Sequence, residues 1–474
     1  MSDRLLQRPR VTSWSISRPY FRPCSDLVKE LKSPFDNLPF LSQEEALKIL
    51  STPVGELELT SDYYKAAFHL AKYPGVVTEQ ALLGLVESSS NQQPVVIARK
   101  KAIEGLARLR CVDAIPAIGR CLSSSDPYLV ETSAWALQEL DCRDLKLHQV
   151  MTCLLEDPNQ HRRVLIQSLA GLGVVSALPC IRTLQDDVSP GVRGAALAAV
   201  FRLCGQRQRL AELKAHLTLP IQVDRHLAIQ DVINTGDVEL LKAALSSPVS
   251  PTFRMRALNA LWPKEIDQQE DCELLVILDG LIADDPGCLE LIHSYGESPT
   301  DNFLVEELFG TDFSCCYLAV QALRSRNPEE LWPVLWQSWE RAKKDYGAIY
   351  FFILLFRYLS GWPQVAKQKI QDFILMALDK CWPDFIKFKP MAILTLMQYN
   401  PRLGCSYMCQ WLDPEKTPYW ASRYAALQAF ETFIGAKRWD GLAVNIAKLK
   451  DDPHRFVRIK AKQLELKYLD ATSA

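Results

Sequence analysis

The side chains able to do chemistry recur at one level of a repeated pattern: Tyr128, Glu131 and Trp135; His161, Arg162 and Arg163; Arg193; Asp224, Arg225 and His226; then Gln230 and Asp231. Guanidinium groups grip carboxylates bidentately, an aspartate accepts from several ring N–H donors, and Trp or Tyr stacks on a π system. Together these groups suit a flat, conjugated, anionic ligand. A peptide or nucleic-acid groove would use the same residue types, and an Arg at a repeated position also braces a helical stack against a neighbouring Asp. Asp231 lies two helical turns beyond Asp224 and Arg225 and adds a second carboxylate near the same wall.

Other chemistries are missing from the pattern. There is no Gly-rich phosphate loop with Lys-Ser/Thr, no Gly-x-Ser-x-Gly elbow and no His-Glu-x-x-His, which argues against nucleotide hydrolases and the common hydrolases. Cys405 and Cys409 lack a histidine or second cysteine pair to complete four ligands, and the adjacent Cys315 and Cys316 point to different faces of a helix, so no metal site is expected. The 14 cysteines are diluted over 474 residues and fall in apolar helical contexts such as Cys121, Cys153, Cys180 and Cys204. They read as small buried hydrophobes in a reducing compartment.

The elements that must position these groups come from a repeat. A mostly charged residue precedes a small or apolar one by three positions at Arg99 and Ala102, Glu131 and Ala134, Arg163 and Ile166, Arg193 and Ala196, Arg225 and Ala228, and Arg254 and Ala257. Successive spacings are 32, 32, 30, 32 and 29 residues. Breakers sit just ahead of most pairs: Asp126-Pro127, Asp157-Pro158, Ser189-Pro190, Pro220 and Pro251. Pro is tolerated at a helix start because its missing N–H had no partner there, and Asp or Ser beside it can cap.

A second amphipathic segment precedes each breaker, at residues 114–122, 145–155, 177–184, 210–217 and 238–245. The unit is two antiparallel helices, each expected at about 10 to 14 residues, with an apolar face that only a stacked neighbour can bury. The fold class is therefore all-α, an α-solenoid of HEAT-like helical pairs with a concave groove. Residues 1–40, rich in Pro and aromatics, are expected to form an extended N-terminal arm. Residues 41–261 carry the repeats, opened by a capping box of Ser42 and Glu45; residues 262–417 diverge and become aromatic-rich; residues 418–474 return to the register at Arg423 and Arg458. A further repeat start is expected at Asp312, with Cys316 and Ala319 in the same relation.

Composition narrows the class. Fifty-four basic against 56 acidic residues leave a formal charge of −2, which disfavours nucleic acid as a partner. The longest apolar run, Ala348 to Phe356, has nine residues, where a membrane span needs about 20. The first 22 residues carry five arginines and no apolar core of the secretory kind. No membrane insertion and a cytoplasmic location are expected.

Three strings then carry a resemblance: Asp126 to Leu140 (DPYLVETSAWALQEL), Ser176 to Leu203 (SALPCIRTLQDDVSPGVRGAALAAVFRL) and Asp224 to Asp237 (DRHLAIQDVINTGD). They resemble the HEAT-repeat, E/F-type bilin lyases of cyanobacterial phycobilisomes, in particular the phycoerythrin lyases and lyase-isomerases. Ser42 to Leu70 resembles that family's N-terminal helices, and the similarity extends over about residues 40 to 330 and more loosely beyond.

The resemblance implies an enzyme that brings together phycoerythrobilin, an open-chain tetrapyrrole, and an apo-phycoerythrin subunit. It adds a subunit cysteine thiol to the ethylidene carbon of bilin ring A, and some relatives also isomerise the product to phycourobilin. The bilin is a substrate, and no cofactor is implied. On this resemblance Asp224 or Asp231 holds the pyrrole N–H groups, Arg225 and Arg193 grip the propionates, and Tyr128 and Trp135 wall the groove beside Glu131 and Arg162. Tyr317 is the candidate proton donor and Cys316 a candidate transient carrier of bilin. The competing classes are a non-catalytic adaptor or chaperone and a HEAT-type nucleic-acid repair enzyme; Glu131, Asp224 and Asp231 at groove level count against the latter.

Overall fold

The computed structural model describes residues 41–262, 271–380, 388–434 and 439–472. The expected arm at residues 1–40 lies outside them. Every regular element among the described residues is helical, and none is a strand. The entry helices are α1 (Gln43–Ser51), α2 (Ser61–Leu70) and α3 (Val76–Glu87). The Ser42 hydroxyl accepts from the Glu45 N–H and the Glu45 carboxylate accepts from the Ser42 N–H, so the expected capping box is present.

From there long and short helices alternate. The long ones are α4 (Gln93–Arg108), α6 (Pro127–Glu139), α8 (Arg162–Gly171), α10 (Pro190–Cys204), α12 (Gln222–Thr235) and α14 (Pro251–Leu261). They pack side by side in one row, α4 on α6, α6 on α8, and so on to α14. The short ones are α5 (Ile115–Arg120), α7 (Leu145–Cys153), α9 (Leu178–Thr183), α11 (Glu212–His216) and α13 (Val238–Ala244). At five to nine residues they fall short of the expected length. Tight three-residue turns flank α5 and α9, where Pro116 and Pro179 sit in the first helical turn.

The second half follows as α15 (Asp271–Ala283), α16 (Asp301–Glu307), α17 (Phe313–Leu323), α18 (Pro328–Gln337), α19 (Trp339–Ala342) and α20 (Tyr346–Tyr358). It ends with α21 (Gln364–Asp379), α22 (Lys389–Tyr399), α23 (Pro401–Trp411), α24 (Trp420–Ala429), α25 (Trp439–Lys448) and α26 (Arg455–Thr472). The start expected at Asp312 is there: its carboxylate caps α17 by accepting the Ser314 N–H at 2.8 Å.

A second row runs through α17, α20, α22, α24 and α26, and α15 packs against α14, α22 and α24. Asp279 of α15 is the tie, accepting Tyr424 Oη at 2.8 Å and Lys460 Nζ at 2.9 Å. One continuous apolar core runs from Met255 to Tyr468 and so joins residues 262–417 to 418–474.

Candidate functional site

Four of the repeated arginines do one job in common. Arg193 Nη1 donates to the carbonyls of Asp187 at 2.6 Å and Val188 at 3.1 Å. Arg225 Nη1 does the same to Leu219 and Pro220 (2.7 and 3.0 Å), Arg423 Nη1 to Thr417 and Pro418 (2.7 and 2.8 Å), and Arg458 Nη1 to Asp452 and Pro453 (2.8 and 3.1 Å). In each case the acceptors lie six and five residues back, in the turn that enters the helix. Carbonyls in such a turn have no helical partner, and the guanidinium supplies one.

Two of these arginines, Arg225 and Arg423, also reach an aspartate in a later element. Arg225 pairs with Asp312 and is itself fully buried. This overturns its expected role as a grip for propionates, because one edge of its guanidinium holds the entry turn and the other holds the cap of α17. Arg193 is used less completely: only Nη1 is engaged, and its other edge has no partner among the described residues.

Asp231 is likewise taken. Arg163 Nη2 and Nη1 bind its two carboxylate oxygens at 2.7 and 2.8 Å, reaching from α8 to α12 across α10. The same guanidinium donates to Gly191 O at 2.6 Å and Leu227 O at 3.1 Å. The crossing is possible because α10 carries glycine beneath it: a Cβ on Gly194 would lie 2.4 Å from Asp231 Oδ2. Asp231 is 1% exposed, and burial pushes its carboxyl up against the pull of Arg163. It forms the floor of the groove instead of a free ligand for pyrrole nitrogens.

Above this floor the entry turns of α6, α8, α10 and α12 set out a row of more open groups. Lys100 Nζ lies 3.5 Å from Asp126 and 5.3 Å from the centre of the Tyr128 ring. Tyr128 is 46% exposed, and its ring meets His161 edge-on at 4.5 Å. His161 Nδ1 bonds the carboxylate of Glu131, which is buried. That hydrogen bond holds the imidazole above its usual range, with burial opposing it. Arg162 pairs with Asp187 at 2.6 Å, and Trp135 is buried in α6 below Tyr128.

Asp224 completes the row. It is partly exposed and its carboxylate makes no hydrogen bond or ion pair among the described residues, although Arg193, Arg163 and Arg225 all pull on its charge. Burial pushes its carboxyl up, and the three arginines oppose that. A half-buried carboxylate surrounded by arginines that bond elsewhere is an acceptor waiting for a donor.

Tyr317 and Cys316 lie away from this row, in the interior. Tyr317 Oη donates to Asp284 Oδ2 at 2.7 Å, accepts from Arg254 Nη2 at 3.1 Å, and is wholly buried. Tyr350 donates to the same Asp284 oxygen. Burial and the Asp284 charge push the Tyr317 phenol well above its usual range, so the expected proton donor is a locked structural group. Cys316 Sγ donates to Glu307 O at 3.2 Å and is fully buried, which raises its thiol well above the usual value and removes it as a carrier of bilin.

A comparison with family models finds no match. The chain is 38% identical over 380 residues to the bilin biosynthesis protein CpeY of Synechococcus sp. (strain WH8020), covering 80% of this chain and 91% of that protein. The chain belongs to the HEAT-repeat bilin lyase family. It is also 30% identical over 408 residues to the uncharacterized phycocyanin operon protein Y of Pseudanabaena tenuis (strain PCC 7409), covering 85% of this chain and 94% of that one. Among solved structures, the complex of CpcE and CpcF of phycocyanin lyase from Nostoc sp. PCC7120 matches at 23% identity and a TM-score of 0.45, over 53% of this chain and 98% of that one.

In this family member the row therefore offers Tyr128, His161, Arg193 and Asp224, together with Lys100 and Arg162, which already face Asp126 and Asp187. His161 carried little weight in the sequence, where it was one polar residue among many, whereas its partner Glu131 was expected to line the groove. Their separation of 30 residues, one repeat, was the available signal, since residues one repeat apart lie side by side in a solenoid. As to metals, His293, Asp312 and Cys315 come within 4.8 Å of one another. Asp312 and Cys315 are neighbours because both sit at the start of α17, and Asp312 is already held by Arg225 and the Ser314 N–H.

Proposed function

We propose that this chain is a bilin lyase that attaches phycoerythrobilin to a cysteine thiol of a phycoerythrin subunit. The similarity to CpeY over 380 residues carries the reading, since it spans every helix of the open row. Asp224 supports it as the acceptor for pyrrole N–H groups, with the free edge of Arg193 and the nearby Arg162 facing the propionates. Tyr128 walls the ligand. Free bilin and thiol react unselectively, so the protein's contribution is to hold one carbon and one face of ring A against the thiol. As the sulfur adds, a ring carbon must receive a proton.

Isomerisation to phycourobilin removes a proton at one carbon and delivers one at another, and so requires an acid or base beyond the ligation set. Ligation alone is the simpler reading of this row. A non-catalytic adaptor or chaperone is favoured by one observation: Arg225, Asp231, Cys316 and Tyr317 are all consumed as braces.

The test is co-expression with phycoerythrobilin synthesis and phycoerythrin α or β subunits, followed by absorbance of the denatured subunits. A covalent phycoerythrobilin band supports the lyase, and a blue-shifted phycourobilin band supports a lyase-isomerase. Failure of any subunit to gain chromophore above a control lacking this protein would sink both, and the adaptor reading would stand.

A further inference from the structure

We infer that His161 is the proton donor of the ligation step and that Glu131 is its positioning residue; the inference rests on the bilin lyase reading. A group that protonates ring A must hold a transferable proton near neutral pH and must reach the groove. Tyr317, Cys316 and Asp231 are enclosed. Asp224 is disposed to accept from the pyrroles, and the arginines do not release protons at such pH. Tyr128 is the more exposed row group at 46%, but only His161 carries its proton on a ring fixed by a buried carboxylate: its side chain is 33% exposed, whereas that of its partner Glu131 is 6% exposed.

The two ring nitrogens have different tasks. Nδ1 is bound to the Glu131 carboxylate, and Nε2 has no partner among the described residues. A buried carboxylate on Nδ1 fixes the ring orientation and stabilises the imidazolium, leaving Nε2–H as the deliverable proton. The groups facing the ring are Glu131 and Tyr128 from α6 and Asp126 at its N-terminal cap, with Lys100 of α4 beyond the Tyr128 ring; Arg162 and Arg163 follow it in sequence, and Arg162 and Arg193 are engaged by Asp187. Lys100, Arg162 and Arg193 are each tied to an aspartate or to carbonyls, which leaves Glu131 as the ring's own counter-charge.

The step balances without an outside reactant. The thiol sulfur forms a bond to the ethylidene carbon, the exocyclic C=C π pair moves to the adjoining ring carbon, and that carbon takes the proton from His161 Nε2. The thiol proton returns to the imidazole through solvent, so the histidine is restored.

The experiment uses the full chain with phycoerythrobilin and an apo-phycoerythrin subunit under single-turnover conditions, with absorbance of the bound free bilin as a separate readout. His161→Asn is expected to slow ligation by about 100-fold while bilin binding stays within about twofold. The wild-type to H161N rate ratio, from which the thiol's own ionisation cancels, should fall as pH rises past the imidazole's titration. Glu131→Gln keeps the shape and should move that fall to lower pH. Equal rates for H161N and wild type, or a ratio unmoved by pH and by E131Q, overturn the assignment. If H161N loses bilin binding through misfolding, the E131Q profile alone decides. Wild-type protein that ligates no subunit overturns the lyase reading and this inference together; a wild type that ligates, with variants that behave alike, overturns only this one.

Discussion

The helices α4 to α12 and the helices α16 to α26 solve the same packing problem with different residues. The first group is filled by small and aliphatic side chains, with Ala195, Ala196, Ala198 and Ala199 in α10 alone. The second is built on interlocking rings: Trp339 lies 4.8 Å from Phe373, Phe351 lies 5.3 Å from Tyr317, and Phe356 lies 5.7 Å from Trp362. Small residues let identical units stack at constant spacing, so the repeat stays legible. Large rings each demand their own geometry, and the period dissolves around them. The difference also separates tasks: the open polar row belongs to the regular half, and the aromatic half closes back on itself through Asp279.

Removing a buried brace from the aromatic half should have the largest effect. Arg423→Ala leaves Asp452, bound at 2.7 and 2.8 Å, buried without its counter-charge. We expect a loss of about 3–5 kcal/mol by chemical denaturation. Arg193→Ala, on the open row, should cost no more than about 1–2 kcal/mol, since only hydrogen bonds to two carbonyls go. Equal losses would erase the contrast between the halves.

Acid should weaken both halves through one device. His226 stacks on Phe253 and His454 on Trp420, each at 3.9 Å, and burial pushes their imidazoles down to about 4 and about 3. The unfolded chain takes up a proton near pH 6.5 that the folded rings refuse, so stability is held above that pH and is lost as pH falls below it. The slope is up to about 1.4 kcal/mol per pH unit for each ring. Melting temperatures at pH 7 and pH 5 for wild type and His454→Gln check this, with the variant expected to flatten the fall.

Smaller effects belong to the groove. Gly194→Ala places a methyl against Asp231 and should cost about 1–3 kcal/mol, with loss of the strut visible as weaker thermal stability. Asp224→Asn should leave stability unchanged and weaken free-bilin binding by about tenfold, measured by titration of the bilin absorbance. In the interior, Cys316→Ala should cost about 1 kcal/mol and leave ligation intact; a loss of ligation would return Cys316 to the site.

Much of the fold was legible because it is local. Ser42 with Glu45 specified a capped helix, the Asp-Pro and Ser-Pro breakers located the entry turns, and even Arg423 and Arg458 brace their turns with the same atoms as Arg193. The candidate site was legible only as a row. Which of its members stay open depends on pairings such as Arg163 with Asp231, 68 residues apart, and Arg225 with Asp312, 87 apart. No periodicity encodes those.

The sequence by itself determined the helices, their starts and their stacking order, since capping, proline placement and apolar spacing act within a repeat or between neighbours. The tertiary structure decided which polar groups face the groove. The packing brings Arg163 of α8 past α10 to Asp231 of α12, and Arg225 of α12 to the cap of α17, and once an arginine is buried there its charge must stay paired. Those residues became braces, and Asp224, Tyr128 and His161, which met no such partner or only one, were left for chemistry.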